Sequence, residues 1–170
     1  YKIDSNTSIT MDRIKQISVP LTTHYHVFNG PKPYEVGKGV PPQTKEMTKN
    51  KVYNGYTKVD QSWVPYMRGK RIQRFTNMWD GEYIKYGENL AAPRSPNIFF
   101  REKIFVRQTG DTIIANLDTN NIANNTLHVL FAKDVSRCSN KYLLGLLNSQ
   151  FMSWFYQAEH PTEVGKPMAE

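Results

Sequence analysis

Lys103-Ile104-Phe105-Val106-Arg107-Gln108-Thr109-Gly110-Asp111 is an apolar strand that runs into a turn carrying bare cationic and amide side chains. It forms the end of a long strand predicted over 98–108, and the segment 112–118 is expected to pair back on it across Gly110-Asp111. A second element of the same kind lies upstream at Tyr66-Met67-Arg68-Gly69-Lys70-Arg71-Ile72. Arginine and glutamine are the side chains able to fork onto guanine and adenine edges. Neither element holds a nucleophile–base pair, a carboxylate–lysine pair or a metal-ligand set, so both point to reading nucleic acid rather than cutting or modifying it.

Working outward, further strands are expected over 22–28, ending at Asn29-Gly30, over 62–67 and 71–75 on either side of Gly69, over 82–86 after Asp80-Gly81, and over 126–132. Met11, Ile14 and Ile17 fit either a brief helix or an edge strand. From Pro31 to Lys51 the chain is expected to be a loop, since six prolines and glycines forbid regular structure, and five lysines stud it at a length that favours a functional role. After residue 137 the texture changes. Tyr142, Leu143, Leu146, Leu147, Phe151, Trp154 and Phe155 recur at helical spacing, predicting one helix over 140–157 with Ser139 or Asn140 as its N-cap. The expected fold is α+β: a β-rich lobe over 1–137, twisted or barrel-like, followed by a C-terminal helix or helical hairpin over 138–170. The chain opens at Tyr1 rather than methionine, and is expected to be one domain of a longer polypeptide.

The chain has 170 residues and a formal net charge of +7, enough length to bury a core and enough charge to attract a polyanion. Residues 1–133 hold 19 basic and 11 acidic side chains, while 134–170 hold 3 and 4, so the β-rich part carries the positive charge. Cys138 is the sole cysteine, which excludes a disulfide framework and a thiolate zinc site and suggests a cytoplasmic protein. No apolar run approaches the ~20 residues of a membrane span.

Several chemistries are weighed and set aside. His24 and His26 lack any nearby Asp, Glu or Cys and read as a structural pair rather than metal ligands. Gly37-Lys38-Gly39 is followed by Pro41-Pro42 and lacks the Gly-Lys-Ser/Thr ending of a phosphate loop. No Asp-x-Lys or Glu-x-Lys occurs, which argues against a nuclease centre, and the motifs of an aminomethylase are missing. The basic turns remain. Arg68, Lys70, Arg71 and Arg74 place four cations within seven residues with no acid between them, either as phosphate donors or as a solvated strand edge. Gly69 suits a close backbone approach or a positive φ. Arg107, Gln108 and Thr109 sit where a buried strand would hold them rigidly. The amide-rich turn Asn120, Asn121, Asn124 and Asn125 is read chiefly as loop chemistry.

Four motifs occur in order: Val36-Gly37-Lys38-Gly39-Val40-Pro41-Pro42-Gln43-Thr44, Tyr66-Met67-Arg68-Gly69-Lys70-Arg71-Ile72-Gln73-Arg74-Phe75, the Lys103 to Asp111 run, and Tyr142-Leu143-Leu144-Gly145-Leu146-Leu147-Asn148-Ser149. Together they resemble the TaqI-like C-terminal specificity domain, the target recognition domain of type IIG restriction–modification enzymes and related adenine-specific DNA methyltransferases. The resemblance implies a mainly β recognition lobe with helices docked on a catalytic part, which clamps duplex DNA while the methyltransferase flips an adenine. It also implies that the parent chain binds S-adenosylmethionine, and magnesium if it cleaves, with no cofactor in this segment. The family pattern has an aspartate where this sequence has Arg71, which strengthens the basic patch.

The expected function is sequence-specific recognition of double-stranded DNA, with no catalysis within the segment and no membrane contact. Its expected partners are duplex DNA and the methyltransferase domain of the same chain. Lys38, Lys45, Arg68, Lys70, Arg71 and Arg74 are expected to position the DNA backbone. Arg107, Gln108 and Thr109 are expected to read bases or to support the strand end that does. Two alternatives stay open: a protein-interaction module with an incidentally basic surface, and a nucleic-acid-cleaving enzyme that would need metal.

Overall fold

The computed structural model describes residues 5–160. Helix α1 (Ser5–Ile17) resolves the first ambiguity in favour of a helix, which buries Met11 and leaves Ile9 and Ile17 exposed. Strand β1 (Tyr25–Asn29) follows a short 3₁₀ turn, Leu21–Thr23. The lysine-studded loop contains helix α2 (Lys45–Asn50), whose Thr44 cap accepts from the Met47 amide. Next come β2 (Asn54–Gly55), β3 (Trp63–Met67), the hairpin β4 (Ile72–Gln73) and β5 (Thr76–Asn77), and β6 (Tyr83–Lys85). Strands β7 (Lys103–Arg107), β8 (Ala115–Asp118), β9 (Ile122–Ala123) and β10 (Leu127–Ala132) lead to α3 (Asn140–Leu147) and α4 (Gln150–Glu159).

The strands make three sheets, ordered β1-β10-β7-β8, β2-β6-β3-β9 and β4-β5, and no closed barrel forms among the described residues. The first is antiparallel throughout; in the second, β3 and β9 run parallel. Between these two sheets lies one core, containing Tyr66, Met67, Ile84, Phe105, Ile122, Leu127 and Val129. On the opposite face of the first sheet, Ile104, Ala115 and Leu130 pack against Leu143, Leu144 and Leu147 of α3. The fold is therefore mixed α/β, mostly β, with C-terminal helices. No described helix is long and apolar enough to cross a membrane.

Three elements differ from expectation for local physical reasons. Helix α2 forms inside the expected loop, because the last of its prolines and glycines is Pro42 and Thr44 caps the residues that follow. The strand predicted from residue 98 begins only at Lys103, because Pro96 opens a 3₁₀ turn and Phe99 plugs the core instead of joining the ladder. The helix predicted over 140–157 is two helices. Asn148 turns its amide onto Ala115, accepting from its N–H and donating to its C=O, both at 2.9 Å. Ser149 then caps α4 by accepting from the Met152 amide at 3.1 Å. The amide of Asn148 thereby satisfies buried backbone on the outer edge of β8, where the Ala115 carbonyl also accepts from the Phe75 amide. Ser139 is the N-cap of α3, accepting from the Tyr142 amide.

A buried ion pair ties the sheets together. Lys103 Nζ lies 2.7 Å from Asp118 Oδ1, across register partners of β7 and β8, with both side chains almost wholly shielded. The Asp118 carboxylate also accepts from the Asn120 and Asn121 amides, the Asn121 side chain and Asn77 Nδ2 of β5. Burial pushes the Lys103 pKa down from its ordinary value, against the pull of Asp118. Asp118→Ala should cost about 3–5 kcal/mol, since it orphans a buried ammonium and four other donors. Lys103→Met should cost less, because those N–H donors still hold the carboxylate; urea denaturation ranks the two, and the reverse order would contradict this arrangement.

Candidate nucleic-acid interface

A groove of about 400 Å³ is lined by Asn50, Lys51, Asn54, Tyr56, Arg68, Lys70, Arg71, Asp80 and Glu82. An adjoining groove of about 200 Å³ shares Lys51, Asn54 and Arg68 and adds Lys32, Tyr34, Tyr66, Asn124 and Asn125. Together they form one polar track, built from the C-terminal end of α2, the turn after β3 and the turn after β9.

Tertiary contacts give the cations of this track unequal roles. Arg68 makes a two-pronged ion pair with Glu82, its Nε and Nη2 each 2.6 Å from a carboxylate oxygen. Glu82 also accepts from Asn54 Nδ2, whose Oδ1 accepts from the Tyr34 hydroxyl. The bond to Glu82 holds the Arg68 pKa above its usual value, and burial pushes the Tyr34 hydroxyl up to about 12. Arg71 pairs with Asp80 at 2.5 Å. The sequence between Arg68 and Arg74 holds no acid, yet Asp80 and Glu82 arrive from the far side of the hairpin. Lys70 and Lys51 are exposed and have no ion-pair partner among the described residues.

Lys51 has a further peculiarity. It ends α2 in the left-handed region, at φ 50° and ψ 49°, where glycine or asparagine is the usual occupant. A lysine there costs ~1–2 kcal/mol, and such strain tends to persist where function needs the side chain. Sequence reading favoured Lys38 and Lys45 in this loop and passed over Lys51, because no local signal distinguishes one loop lysine from another.

Of the nine residues singled out from sequence, Arg68, Lys70 and Arg71 line the track. Lys38 and Lys45 do not line it and are exposed on the segment around α2, which buried Gln43 locks by donating to Pro33 O and Asn89 O and accepting from the Glu35 amide. Arg74 turns away, donating to Ser153 of α4 at 2.9 Å. Arg107 donates from Nε to Gly69 O at 2.8 Å and from Nη2 to Ile72 O at 2.5 Å, clamping the basic turn onto the end of β7. Burial lowers its pKa. Gln108 and Thr109 are exposed just beyond that strand end. Gly69 serves close approach rather than positive φ: a Cβ there would lie 2.9 Å from Thr126 Oγ1, to which its amide donates.

The remaining candidates resolve into structure. His26 stacks among Phe28 and Phe131, and no group of three or more His, Cys, Asp or Glu among the described residues could hold a metal ion. The aromatic stripe of the helices is divided: Leu143, Leu144 and Leu147 are core, while Tyr142, Leu146, Phe151 and Trp154 are exposed.

Removing the Arg107 clamp orphans the Ile72 carbonyl and leaves Gly69 O with only the Ile72 amide, so Arg107→Ala should lower stability by about 1–3 kcal/mol. Arg107→Lys should recover little, since one ammonium cannot reproduce a planar two-pronged grip. Thermal denaturation of both variants checks this; full recovery by lysine would contradict the clamp.

No curated protein matches the chain. Residues 64–167, more than half of it, match the TaqI-like C-terminal specificity domain. The matched segment begins in β3 just before Arg68 and spans the basic turn, the Arg107 clamp, the amide turn and both C-terminal helices. This chain belongs to the family of TaqI-like C-terminal specificity domains.

Proposed function

We propose that this chain is the target recognition domain of a type II or type IIG restriction–modification enzyme, or of an adenine-specific DNA methyltransferase, and that duplex DNA lies along the polar track. Membership of the family implies DNA target recognition in restriction–modification systems. The observation that carries the placement is the track itself, where unpaired Lys51 and Lys70 alternate with fixed Arg68 and Arg71 and with the amides of Asn50, Asn54, Asn124 and Asn125. Free lysines suit phosphates, which contribute affinity without sequence preference, whereas amides, of which Asn54 and Asn124 are held by hydrogen bonds, can discriminate base edges.

In this reading Lys38 and Lys45 extend the phosphate footprint along the α2 loop. Arg74 and Arg107 hold the basic turn in place, and Gln108 and Thr109 reach the groove of the duplex beside it. Tyr142, Leu146, Phe151 and Trp154 form the surface against which the methyltransferase domain of a longer parent chain would pack. S-adenosylmethionine, and magnesium in a cleaving parent, would be held by that catalytic part. The protein would work in the cytoplasm, where cellular DNA is exposed to it.

Selection of a randomised duplex library, at low and at physiological salt, tests the reading. An enriched motif that survives the higher salt is expected; unselective binding lost at physiological salt would overturn it. Lys70→Ala should weaken binding on every sequence and reduce the slope of log K against log salt by roughly one unit. Lys51→Gly separates stability from function. Glycine relieves ~1–2 kcal/mol of left-handed strain but returns ~0.4–1 kcal/mol of chain entropy, so stability should hold or rise slightly while DNA affinity falls. A variant that binds DNA as well as the parent would remove Lys51 from the footprint.

A further inference from the structure

Where β1, β10 and β7 end together, three polar side chains converge. Asn29 and His128 are register partners, and Asn29 Oδ1 lies 2.8 Å from His128 Nδ1. The same oxygen accepts from Gln108 Nε2 at 3.3 Å. Since Oδ1 can only accept, the His128 proton resides on Nδ1. Burial lowers the His128 pKa, so the ring is neutral near pH 7. Gln108 is also held through its backbone, its amide donating to Thr126 O at 3.0 Å.

The trio adjoins the polar track. Gly30 packs so tightly on the Asn124 carbonyl that a Cβ there would sit 1.9 Å from its oxygen. Asn124 and Asn125 line the track, and Thr126 next to them anchors Gln108. Gln108 and Asn29 are exposed, and among the described residues Gln108 Oε1 has no protein partner.

We infer that Asn29, Gln108 and His128 form a base-reading site whose ligand is the major-groove edge of an adenine; this rests on the DNA-recognition reading above. One Nε2 hydrogen of Gln108 goes to Asn29. The other, with Oε1, forms the donor–acceptor pair that matches adenine N7 and N6, the fork by which glutamine reads that base. Asn29 is a positioning residue: its oxygen fixes the rotation of the Gln108 amide, and His128 in turn fixes Asn29. Arg107, one residue earlier, keeps its donors on the basic turn and leaves the readout to its neighbour.

Library selection with the chain and its variants tests this. The parent should enrich a motif containing adenine at one position, and Gln108→Ala should lose about 5- to 150-fold of preference there and nowhere else. Gln108→Arg should move that position toward guanine, because the guanidinium can still donate to Asn29 while forking onto O6 and N7. Asn29→Ala should blur the same position at unchanged salt slope. If Asn29→Ala fails to fold, the exposed Gln108 variants decide alone. A parent motif left unchanged by both Gln108 substitutions overturns the inference while leaving DNA recognition intact. A parent that enriches nothing overturns the recognition reading itself.

Discussion

The buried pair of Lys103 and Asp118 is the constraint on which the arrangement depends. A carboxylate removed from water must satisfy its lone pairs within the protein, and Asp118 does so with five donors drawn from β7, β5 and the turn before β9. Gathering those donors sets where β9 starts. β9 then pairs in parallel with Tyr66 and Met67 of β3, so the position of Arg68, the next residue, follows from a charge buried on the other sheet. The same carboxylate reaches Asn77 and thereby holds the hairpin that begins just after Arg71 and carries Arg74 in its turn.

From that anchor the cations divide into tethered and free. Arg68, Arg71, Arg74 and Arg107 are each committed to a carboxylate, a hydroxyl or backbone carbonyls. They shape the surface more than they charge it. Lys51 and Lys70 keep long flexible stems and have no ion-pair partner among the described residues, which suits contacts that tolerate any sequence. In the proposed function, amides and loose lysines on one track would divide the work of recognition, the former discriminating and the latter attracting. The arginines were the more conspicuous candidates because the sequence displays their charge and conceals their partners.

Much of the fold was legible because its signals are local. The strands ending at Asn29, Met67, Arg107 and Ala132 follow from apolar β-branched runs, and the cap at Ser139 needs only three or four residues of context. What was not legible depends on distance in space. Asn148 breaks the C-terminal helix only because β8 needs an edge partner. Phe99 leaves the predicted strand because a core site between the sheets takes it. Glu82 and Asp80 return to Arg68 and Arg71 only once β6 is paired. Lys51 stands out only through its backbone angle, and the Asn29–His128 contact only through strand register.

The most direct measurement is a titration of the isotopically labelled chain with duplex DNA, followed residue by residue by nuclear magnetic resonance. Shifts concentrated at Lys51, Asn54, Tyr56, Lys70, Asn124, Asn125 and Gln108, with the exposed helical residues Tyr142, Phe151 and Trp154 unchanged, are the expected result. Shifts confined to those helices, or scattered over every exposed lysine alike, would contradict a DNA-reading track along the end of α2 and the turns after β3 and β9.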